Sequence, residues 1–577
     1  MTKSTKLYAL TALFWVLVAI PASLHLLALL RANASLGLRL SWGVAVVFLN
    51  YFWFFTSYHA STVLVAFFAR ATLQDKPRFC MAQKGLSSCK VAVLYATRND
   101  FYAECAESCV NLDYPSFRVF ICDDSEDEAT KQAIDAFQLR HRLTCRVLRR
   151  SGRAGHKAGN LNHALRHIGP EYAYVVVVDH DSCLERGLIN AALGYFEADP
   201  ALAFVQAKQR AVAWPGNSFS ADLSLGIDCL WDYLPLKNQF GLAPCFGHGV
   251  VIRRSALEAV GGFPETVSED LALTTMLREA GYFGVVASDI VCGEGVPRHL
   301  NQYRRRYEKW CVGIIEFARL YLRSFLRNKR IPLVEKLDLV FHCLNLLGMV
   351  PLFLFIVWVN IVLPFGFGHY EQLTIESDAF GVAWHIPVLS TQGSFSGVDS
   401  LFLRVVVLGG VLLPLSYFGK YFLCYPAHTT RHVAIAFTCF CATMVPTLLS
   451  MLVVLVGASP YYRSTADPWE DQVYTPRSST LGLATNLRVG RIYSLMIETA
   501  IALCFLICAL VTVNLFLLSF ALGALAGPLF RFCSWNNKWL AALKYLPFSL
   551  LVVQLILIGL PAIGYAGVFS HLVLIHF

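Results

Sequence analysis

The stretch Tyr174-Val175-Val176-Val177-Val178-Asp179-His180-Asp181 decides the fold of this chain. Such an uninterrupted run of apolar, mostly β-branched residues is typical of a strand buried on both faces of a parallel sheet. Side chains two residues apart on a strand point the same way, so Asp179 and Asp181 would lie together where the strand ends. Two such carboxylates suit Mg²⁺ or Mn²⁺, which prefer oxygen ligands. A turn or a helix N-cap is the alternative interpretation of this Asp-x-Asp.

Further short β-rich runs lie on both sides of this strand, and helical patterns separate them. Because strands alternate with helices, the sequence predicts an α/β fold with a mostly parallel sheet and helices on both faces. Ligands of such sheets bind at the carboxyl ends of the strands. The other runs are Val91–Tyr95, Arg118–Cys122, Arg146–Leu148, Ala203–Gln206 and Gly284–Ala287, and the helical patterns include Glu128–Leu139, Gly159–His167 and Leu271–Ala280.

The composition is that of a membrane protein. Of 577 residues, 56% are hydrophobic and 15% are charged, whereas soluble domains carry roughly 25% charged residues. These values exclude a disordered chain, a fibrous repeat and an ordinary soluble enzyme. The net charge of +9 then indicates cytoplasmic anchoring, not binding of nucleic acid. The 18 cysteines include no CxxC pair, so we expect reduced, buried thiols.

Long apolar runs before the α/β region predict membrane segments. Leu7–Leu30 and Ser41–Ala69 each reach the roughly 20 helical residues that cross a hydrocarbon core. The first run is too long for a signal peptide and has no obvious cleavage site. Basic residues flank the pair, which places both ends in the cytoplasm. The predicted organisation is a transmembrane hairpin at 1–75, a cytoplasmic domain at 76–300 and basic amphipathic helices in the membrane interface at 301–336.

The second half of the chain is predicted as a transmembrane pair at 337–427, an interfacial or re-entrant segment with a loop at 428–491, and a second transmembrane pair at 492–577. The acidic stretch Gly366–Ser400 lacks Lys and Arg and would lie outside. His432–Gly457 is apolar, but we expect Pro446 to break it, so that it does not cross. A crossing segment is the alternative, and the distribution of basic residues favours the first topology only slightly. The crossing runs are Leu337–Phe365, Leu401–Leu423, Ile492–Leu522 and Leu546–Phe569.

Other motifs suited to a nucleotide substrate lie at predicted strand and helix ends. Asp123-Asp124 directly follows a strand, and Ser268-Glu269-Asp270 opens a helix. The triplet is either a helix N-terminus stabilised by its acids or a carboxylate base at the mouth of a site. The stretch Ser151–Asn162 carries three glycines and two cations just before a helix, which suits a phosphate site.

This set of motifs, in this order, resembles that of family 2 glycosyltransferases. Their placement between membrane segments is similar to that of the processive synthases of cellulose, hyaluronan, chitin and curdlan. The resemblance extends from Lys90 to Trp310 and implies a GT-A-like, Rossmann-type domain. It implies that the donor uridine is held by Thr97, Asp100, Asp123 and Asp124, the diphosphate by Lys157 and Asn160, the metal by Asp179 and Asp181, and that Asp270 is the catalytic base beside Glu269.

The acceptor end is where this chain departs from the family pattern. Cys245-Phe246-Gly247-His248-Gly249 matches a loop that lines the acceptor, which implicates Phe246 and His248. The signature Gln-x-x-Arg-Trp is represented by Arg306-Tyr307-Glu308-Lys309-Trp310. Lys309 keeps a positive charge toward the diphosphate but loses the bidentate fork of arginine. Arg306 would also contact the donor, at its diphosphate. Trp310 would stack on the acceptor sugar, or else pack in the core.

A second, looser match lies near the C-terminal membrane segments. Val473-Tyr474-Thr475-Pro476-Arg477 resembles the gating loop that covers the nucleotide in cellulose synthases, and Arg477 would then contact the donor. An ordinary loop is the alternative interpretation.

Together the residues and the resemblance predict an inverting, metal-dependent enzyme of the plasma (inner) membrane. It would extend a β-linked polysaccharide, a glucan in our interpretation, from a UDP-sugar and pass the chain through its own helices, with the lipid bilayer as its other partner. The alternatives are a non-processive transferase with a lipid acceptor, and a transporter or receptor with an inactive transferase domain. Accessory export subunits and the oligomeric state are left open.

Overall fold

The computed structural model describes residues 3–29, 35–73, 89–367, 369–377, 382–390, 401–456 and 487–559. The chain forms two compact units. The first comprises Met1–Thr5, Ala66–Leu346 and Ser450–Ala484, and the second comprises Lys6–Val65, Leu347–Leu449 and Thr485–Phe577.

In the described residues, helices alternate with the strands of the first unit. Helices also form most of the second unit. In chain order they are α1 (Lys6–Leu29), α2 (Leu36–Leu73), α3 (Ala103–Val110), α4 (Glu128–Arg140), α5 (His156–His167), α6 (Leu188–Ala198), α7 (Ser218–Tyr233), α8 (Lys237–Phe240), α9 (Arg254–Ala259), α10 (Glu269–Glu279), α11 (Leu300–Phe317), α12 (Arg323–Arg327), α13 (Leu333–Leu346), α14 (Met349–Val357), α15 (Leu363–Phe367), α16 (Leu401–Leu415), α17 (Gly419–Cys424), α18 (Pro426–Leu455), α19 (Leu487–Val511), α20 (Leu515–Phe532) and α21 (Leu546–Gly559).

The first unit is built on an eight-stranded mixed sheet of order β3-β2-β1-β4-β7-β6-β8-β5. One half is parallel, because β1 pairs in this way with both β2 and β4, and β2 with β3. Strand β7 runs antiparallel between β4 and β6. The strands are β1 (Lys90–Thr97), β2 (Phe117–Asp123), β3 (Cys145–Arg149), β4 (Tyr172–Asp179), β5 (Ser182–Leu184), β6 (Leu202–Val212), β7 (Val250–Arg253) and β8 (Phe283–Gly295).

The core of this unit forms on both faces of the sheet. The valines of β4 alternate between the faces: Val176 and Val178 pack in one buried cluster, and Val175 and Val177 in the other. This two-sided burial is why the sequence of β4 is apolar without interruption. The six predicted strands and the α/β class are confirmed. The two unpredicted strands, β5 and β7, are short and pair antiparallel, so the sheet is mixed.

Helix α13 belongs to the first unit, so the predicted membrane segment Leu337–Phe365 starts too early. Its Glu335 and Asp338 are 1% and 4% exposed, and buried carboxylates need partners. Glu335 accepts from Arg278 Nε at 2.7 Å, and Asp338 accepts from the Leu242 amide at 2.8 Å. Lys3 Nζ lies 3.6 Å from Glu335 and donates to the Gly241 carbonyl at 2.9 Å. This charge cluster joins α13 to Arg278 of α10, to the backbone at Gly241 and Leu242, and to Lys3.

Six helices of the described residues are long and apolar enough to cross a membrane, as expected of an integral membrane protein. They lie at Lys6–Leu24, Arg39–Phe68, Met349–Gly366, Pro426–Leu455, Ser494–Val511 and Leu515–Phe532. Two predictions are wrong in detail. Helix α18 continues through Pro446 without the predicted break, and the predicted single run Ile492–Leu522 is two helices. Asn514 caps the second of these, α20, by accepting from the Leu517 amide at 2.9 Å.

The predicted outside loop Gly366–Ser400 contains an antiparallel hairpin, β9 (His369–Ser377) and β10 (Val382–Ser390). The side of the membrane on which it lies, and the course of α18 relative to a bilayer, stay predictions.

Candidate active site

The predicted site residues converge at the carboxyl edge of the parallel half of the sheet. In the register of β1, Thr97 pairs with Asp123 of β2, and Ala96 pairs with Asp179 of β4. The last residues of three neighbouring strands therefore lie side by side, as the topology of parallel strands requires.

Hydrogen bonds fix the residues that follow β1 and β2, where the nucleotide is predicted to bind. Asp100 accepts from Thr97 Oγ1 at 2.9 Å and from the Arg98 amide at 2.6 Å. The Asp123 carboxylate, fully buried, accepts from the Ser125 amide at 2.8 Å. Burial raises the pKa of Asp100, although His180 and these donors act against the shift. The loop is thus fixed before any ligand binds.

Two arginines at the end of β3 hold the acidic pair in place. Arg149 Nε lies 2.7 Å from Asp123 Oδ2. Arg150 donates two parallel hydrogen bonds to the Asp124 carboxylate, from Nε to Oδ1 at 2.8 Å and from Nη2 to Oδ2 at 2.7 Å. Such bidentate pairs fix orientation as well as charge. Arg150 also donates to the carbonyl of Ala154 at 2.6 Å, so it links the acidic pair to the glycine-rich turn before α5.

Lys157, in the first turn of α5, lies at the centre of the site. Its Nζ is 2.7 Å from Asp179 Oδ1, 3.2 Å from Glu269 Oε1 and 3.0 Å from the Gly247 carbonyl. Burial raises the pKa of the Asp179 carboxyl, but Lys157 and His248 outweigh burial and hold this pKa well below its usual range. One cation therefore joins β4, α10 and the loop before β7.

The residues present fit a divalent cation bound together with a diphosphate. The Lys157 ammonium already stands among carboxylate oxygens where a cation is favoured. Asp181 lies next to this cluster, and a side chain at Gly295 would come within 2.9 Å of Asp181 Cβ, so Gly295 leaves room for the carboxylate. Within the described ranges no group of three or more His, Cys, Asp or Glu residues is placed to hold a metal. The protein would supply one or two carboxylates and the phosphates the rest, as is usual for Mg²⁺.

Asp270, the predicted base, has a raised pKa. It is half-buried in the first turn of α10. Burial and the neighbouring Glu269 raise its pKa from 3.8 to about 6, against the smaller effects of Lys157 and Lys309. A carboxylate with this pKa can take a proton near neutral pH. Lys309 of α11 is close enough to Asp270 to lower the pKa of that carboxyl. Its predicted role at the diphosphate stays a prediction.

The loop that carries the predicted acceptor residues Phe246 and His248 packs against α10. A side chain at Gly247 would meet Asp270 Cβ at 3.3 Å, so the loop Cys245–Gly249 lies directly against α10. His248 Nδ1 is 3.0 Å from Ser182 Oγ, and burial lowers the pKa of His248. The Phe246 ring packs against Trp231 at 4.9 Å.

Arg306 and Trp310 lie one turn apart on α11. Arg306 makes an ion pair with Glu294 at the end of β8, and its guanidinium lies 5.2 Å from the Trp310 ring centroid. Trp310 is 43% exposed, so the core-packing alternative is excluded. The stacking of this ring on an acceptor sugar stays a prediction.

Asn160, a predicted donor residue, has a supporting position in the structure. Asn160 is 2% exposed, and its Nδ2 donates to the Cys122 carbonyl at 2.8 Å, at the end of β2. This position supports the strand that carries Asp123, and a direct contact of Asn160 with the donor stays a prediction. Arg477 and the rest of Val473–Arg477 lie outside the described residues.

Comparison with known proteins agrees with this geometry. Residues 89–313 match the family described as "Glycosyltransferase like family 2". These residues form a family 2 glycosyltransferase domain. The sheet and its helices are accordingly GT-A-like, and the membrane-helix candidates flank the glycosyltransferase domain in the sequence.

The relatives of this domain include polysaccharide and lipid glycosyltransferases. Cellulose synthase 2 of Novacetimonas hansenii is 30% identical over 220 residues, which are 36% of this chain and 13% of that protein. Probable glucomannan 4-beta-mannosyltransferase 15 of Arabidopsis thaliana is 24% identical over 280 residues, 47% of this chain and 52% of the relative. Beta-monoglucosyldiacylglycerol synthase of a Synechocystis strain is 27% identical over 233 residues, 39% of this chain and 47% of the relative. The chain thus spans about half or less of each relative.

Sequence reasoning missed two residues of the glycosyltransferase domain that organise its site. Arg150 was hidden because a basic residue at a strand end gives no signal until its carboxylate partner is known. His180, between the two aspartates of Asp-x-Asp, lies 3.4 Å from Asp100 Oδ2 and accepts from Tyr95 Oη through its carbonyl at 2.8 Å. Burial lowers the pKa of His180, but Asp100 and the two flanking aspartates outweigh burial and raise it.

Proposed function

We propose that the protein is an inverting glycosyltransferase that polymerises a β-linked polysaccharide from a UDP-sugar and translocates it across the membrane. A glucan is the product we favour. The observation that carries the proposal is the Asp270 carboxyl, with a pKa of about 6, against a loop that also contacts Lys157. Base, cation and acidic pair are thus gathered at one edge of the sheet.

The catalytic step follows from this arrangement. Asp270 takes the proton of an acceptor hydroxyl, and the acceptor oxygen forms a bond to the anomeric carbon of the donor. The bond from that carbon to the diphosphate oxygen breaks on the opposite face, so UDP leaves and the configuration inverts. Lys157 and Lys309 stabilise the charge that develops on the leaving group.

A bound Mg²⁺ or Mn²⁺ would be held by Asp179 and Asp181 and would supply further neutralisation of the diphosphate. The nucleotide would lie along Thr97, Asp100, Asp123 and Asp124, and the acceptor along Phe246, His248 and Trp310. Arg477 would reach the diphosphate from the loop after α18.

The proposed location is the plasma (inner) membrane, with the glycosyltransferase domain in the cytoplasm, where nucleotide sugars are found. This topology requires that Arg477 lie on the cytoplasmic side. A cysteine introduced beside it should react with a membrane-impermeant reagent only in inverted vesicles, and labelling from the external face of intact cells would disprove the topology.

The test of function is turnover by the purified full chain in lipid nanodiscs. UDP-glucose and a panel of other UDP-sugars are supplied with Mg²⁺ or Mn²⁺, and any product is digested with linkage-specific hydrolases. A long product cut by a β-glucanase supports the proposal. UDP release without any polymer on every donor would overturn it.

A second candidate is a non-processive enzyme that adds a sugar to a lipid. The similarity to beta-monoglucosyldiacylglycerol synthase favours testing it. A parallel assay with diacylglycerol in the nanodisc separates the two, because a single glycosylated lipid would replace the polymer. A transporter or receptor with an inactive domain predicts no UDP release at all, and the ion-paired acidic set argues against it.

A further inference from the structure

The loop that precedes β7 is positioned mainly by side chains, and its last residue, Gly249, also accepts a backbone hydrogen bond from the Ala207 amide of β6 at 2.9 Å. Residues 242–249 lie outside helices and strands, yet most of them are buried. Buried backbone amides and carbonyls need partners. Here the partners come from three other elements: Asp338 accepts from the Leu242 amide at 2.8 Å, Thr274 Oγ1 from the Cys245 amide at 2.9 Å, and Gln206 Oε1 from the Phe246 amide at 2.8 Å.

Gln206 of β6 is the residue that holds the loop on both sides of Gly247. Its Oε1 accepts from Phe246, and its Nε2 donates to the His248 carbonyl at 2.9 Å and to the Gly249 carbonyl at 3.3 Å. The side chain is fully buried, with 0% exposure. A buried amide that both donates and accepts fixes the distance between the two peptide groups it bridges.

The bridged segment has an unusual conformation. Gly247 and Gly249 have φ values of 72° and 57°, in the left-handed region that favours glycine. A side chain at Gly247 would lie 3.4 Å from both Glu269 Oε1 and Lys157 Nζ. The Gly247 carbonyl accepts from the same ammonium at 3.0 Å. A shift of this turn would therefore move atoms that lie against Glu269 and Asp270 and atoms that contact the Lys157 ammonium.

Gln209 offers a matched comparison three residues along the same strand. Residues three apart on a regular strand face opposite sides, but the β6–β8 register shifts between Ala207 and Lys208. Gln209 Nε2 therefore also reaches the His248 carbonyl, at 3.1 Å, and it is equally buried. Its Oε1 has no hydrogen-bond partner among the described residues. Gln209 thus makes one of the contacts that Gln206 makes, but does not bridge the turn.

The geometry points to Gln206 as a positioning residue for the acceptor. Its hydrogen bonds to Phe246 and His248 fix the conformation of the turn at Gly247. That turn places the Gly247 carbonyl beside Lys157 and packs the loop on Asp270. This inference rests on the proposed function, because the acceptor is the substrate that this loop would receive. It assigns to Gln206 no contact with the reacting atoms. Because the loop would receive the acceptor and touches the donor side only through Lys157, the expected defect is much larger in transfer to the acceptor than in donor binding.

The experiment compares Gln206→Met with Gln209→Met in the full-length protein in nanodiscs. Methionine keeps the length of the side chain and removes both hydrogen-bonding groups. Three quantities are measured: UDP binding, hydrolysis of the UDP-sugar by water, and transfer to the acceptor. For Gln206→Met we expect transfer to fall by about 10²-fold, the cost of a misplacement on the order of 1 Å, while UDP binding and hydrolysis remain. Gln209→Met, which loses one hydrogen bond, should lower transfer by roughly 2- to 10-fold.

Hydrogen exchange of the peptide that contains Phe246 gives a readout that does not depend on activity. Its amide should exchange faster in Gln206→Met than in the parent and in Gln209→Met. Gln206→Asn, which keeps both hydrogen-bonding groups on a side chain one methylene shorter, should lie between the parent and Gln206→Met in transfer, and it serves if the methionine variant does not fold.

The outcomes separate the inference from the proposed function. Unchanged transfer by Gln206→Met, or an equal loss of binding, hydrolysis and transfer, would overturn the positioning role. If the parent neither hydrolyses nor transfers any nucleotide sugar, the proposed function fails. Faster exchange at Phe246 would then still support the bridge, and unchanged exchange would overturn it.

Discussion

The Lys157 ammonium lies 2.7 Å from the Asp179 carboxylate, and so a lysine occupies the place beside the Asp-x-Asp motif where a divalent cation is favoured. The same ammonium reaches Glu269 at 3.2 Å. A metal bound with its diphosphate would therefore share or displace this contact. The proposed metal site and Glu269 of α10 would then be linked through one side chain.

Loss of the metal ligand tests this link directly. Asp181→Ala should weaken metal-dependent binding of UDP, and EDTA should have the same effect on the parent, because the remaining Asp179 is already neutralised by Lys157. Calorimetry of UDP with and without Mn²⁺ measures the effect. Asp113→Ala, at a surface aspartate with a side chain 64% exposed, is the control. Full turnover in excess chelator would remove the metal from the mechanism.

Replacement of the base should separate chemistry from binding. Asp270→Asn keeps the size of the side chain but cannot take a proton, and general-base catalysis contributes roughly 10²–10⁴-fold. We expect transfer to fall by at least this factor, with UDP binding within a few-fold of the parent. Initial rates of UDP release measure the loss, and near-normal turnover would show that another residue takes the proton.

The pKa of Asp270 predicts opposite responses of activity and stability to pH. Since the base must be ionised, kcat/KM should fall about tenfold per pH unit below pH 6. The folded pKa is raised from 3.8 to about 6, so between these values the folded state binds more protons than the unfolded state. The contribution of Asp270 to the free energy of unfolding therefore falls as pH rises through this window.

Thermal unfolding of the parent and of Asp270→Asn between pH 4 and pH 8 checks the sign. The asparagine variant should gain stability relative to the parent as pH rises, because it lacks the carboxylate that becomes charged. A constant difference across the range would contradict the raised pKa.

Arg150 should matter for the fold of the nucleotide end. Its side chain and that of Asp124 are 9% and 7% exposed. Removal of one partner of a buried pair leaves an uncompensated charge, at a cost of about 3–5 kcal/mol. Arg150→Met should therefore lower the melting temperature markedly and weaken UDP binding. Arg166→Met, at an exposed position of α5, should leave both unchanged, and equal effects of the two variants would contradict the assigned role.

The parts of the fold that could be predicted are those with a strong local signal. The apolar run of β4 announces a strand because both of its faces are buried. Strand β7 has four residues and pairs antiparallel between two longer strands, so its existence depends on neighbours that are distant in sequence. For α13, the buried Asp338 inside an apolar run was a signal against a membrane segment, but its partner Leu242 lies 96 residues away.

The candidate site divides in the same way. The sequence predicted that Asp179 ends a strand and that Asp270 lies at the start of a helix, and both positions are confirmed because strand ends and helix starts can be read locally. The three partners of Lys157 come from three separate elements, and no spacing rule reports such a meeting. Likewise, the contact of Gln209 with the His248 carbonyl depends on an irregular pairing of β6 with β8, which has no sequence signature.

The ion pair between Arg306 and Glu294 has a consequence for the history of the sequence. Arg306 stands where the resembling synthases carry glutamine, and a guanidinium buried without a carboxylate is costly. Arginine at 306 and an acid at 294 should therefore have been acquired together and should be inherited as a unit. Among homologous chains, those with a neutral residue at the position of Arg306 should be free to vary at the position of Glu294, and this covariation would mark the group of sequences that share the pair.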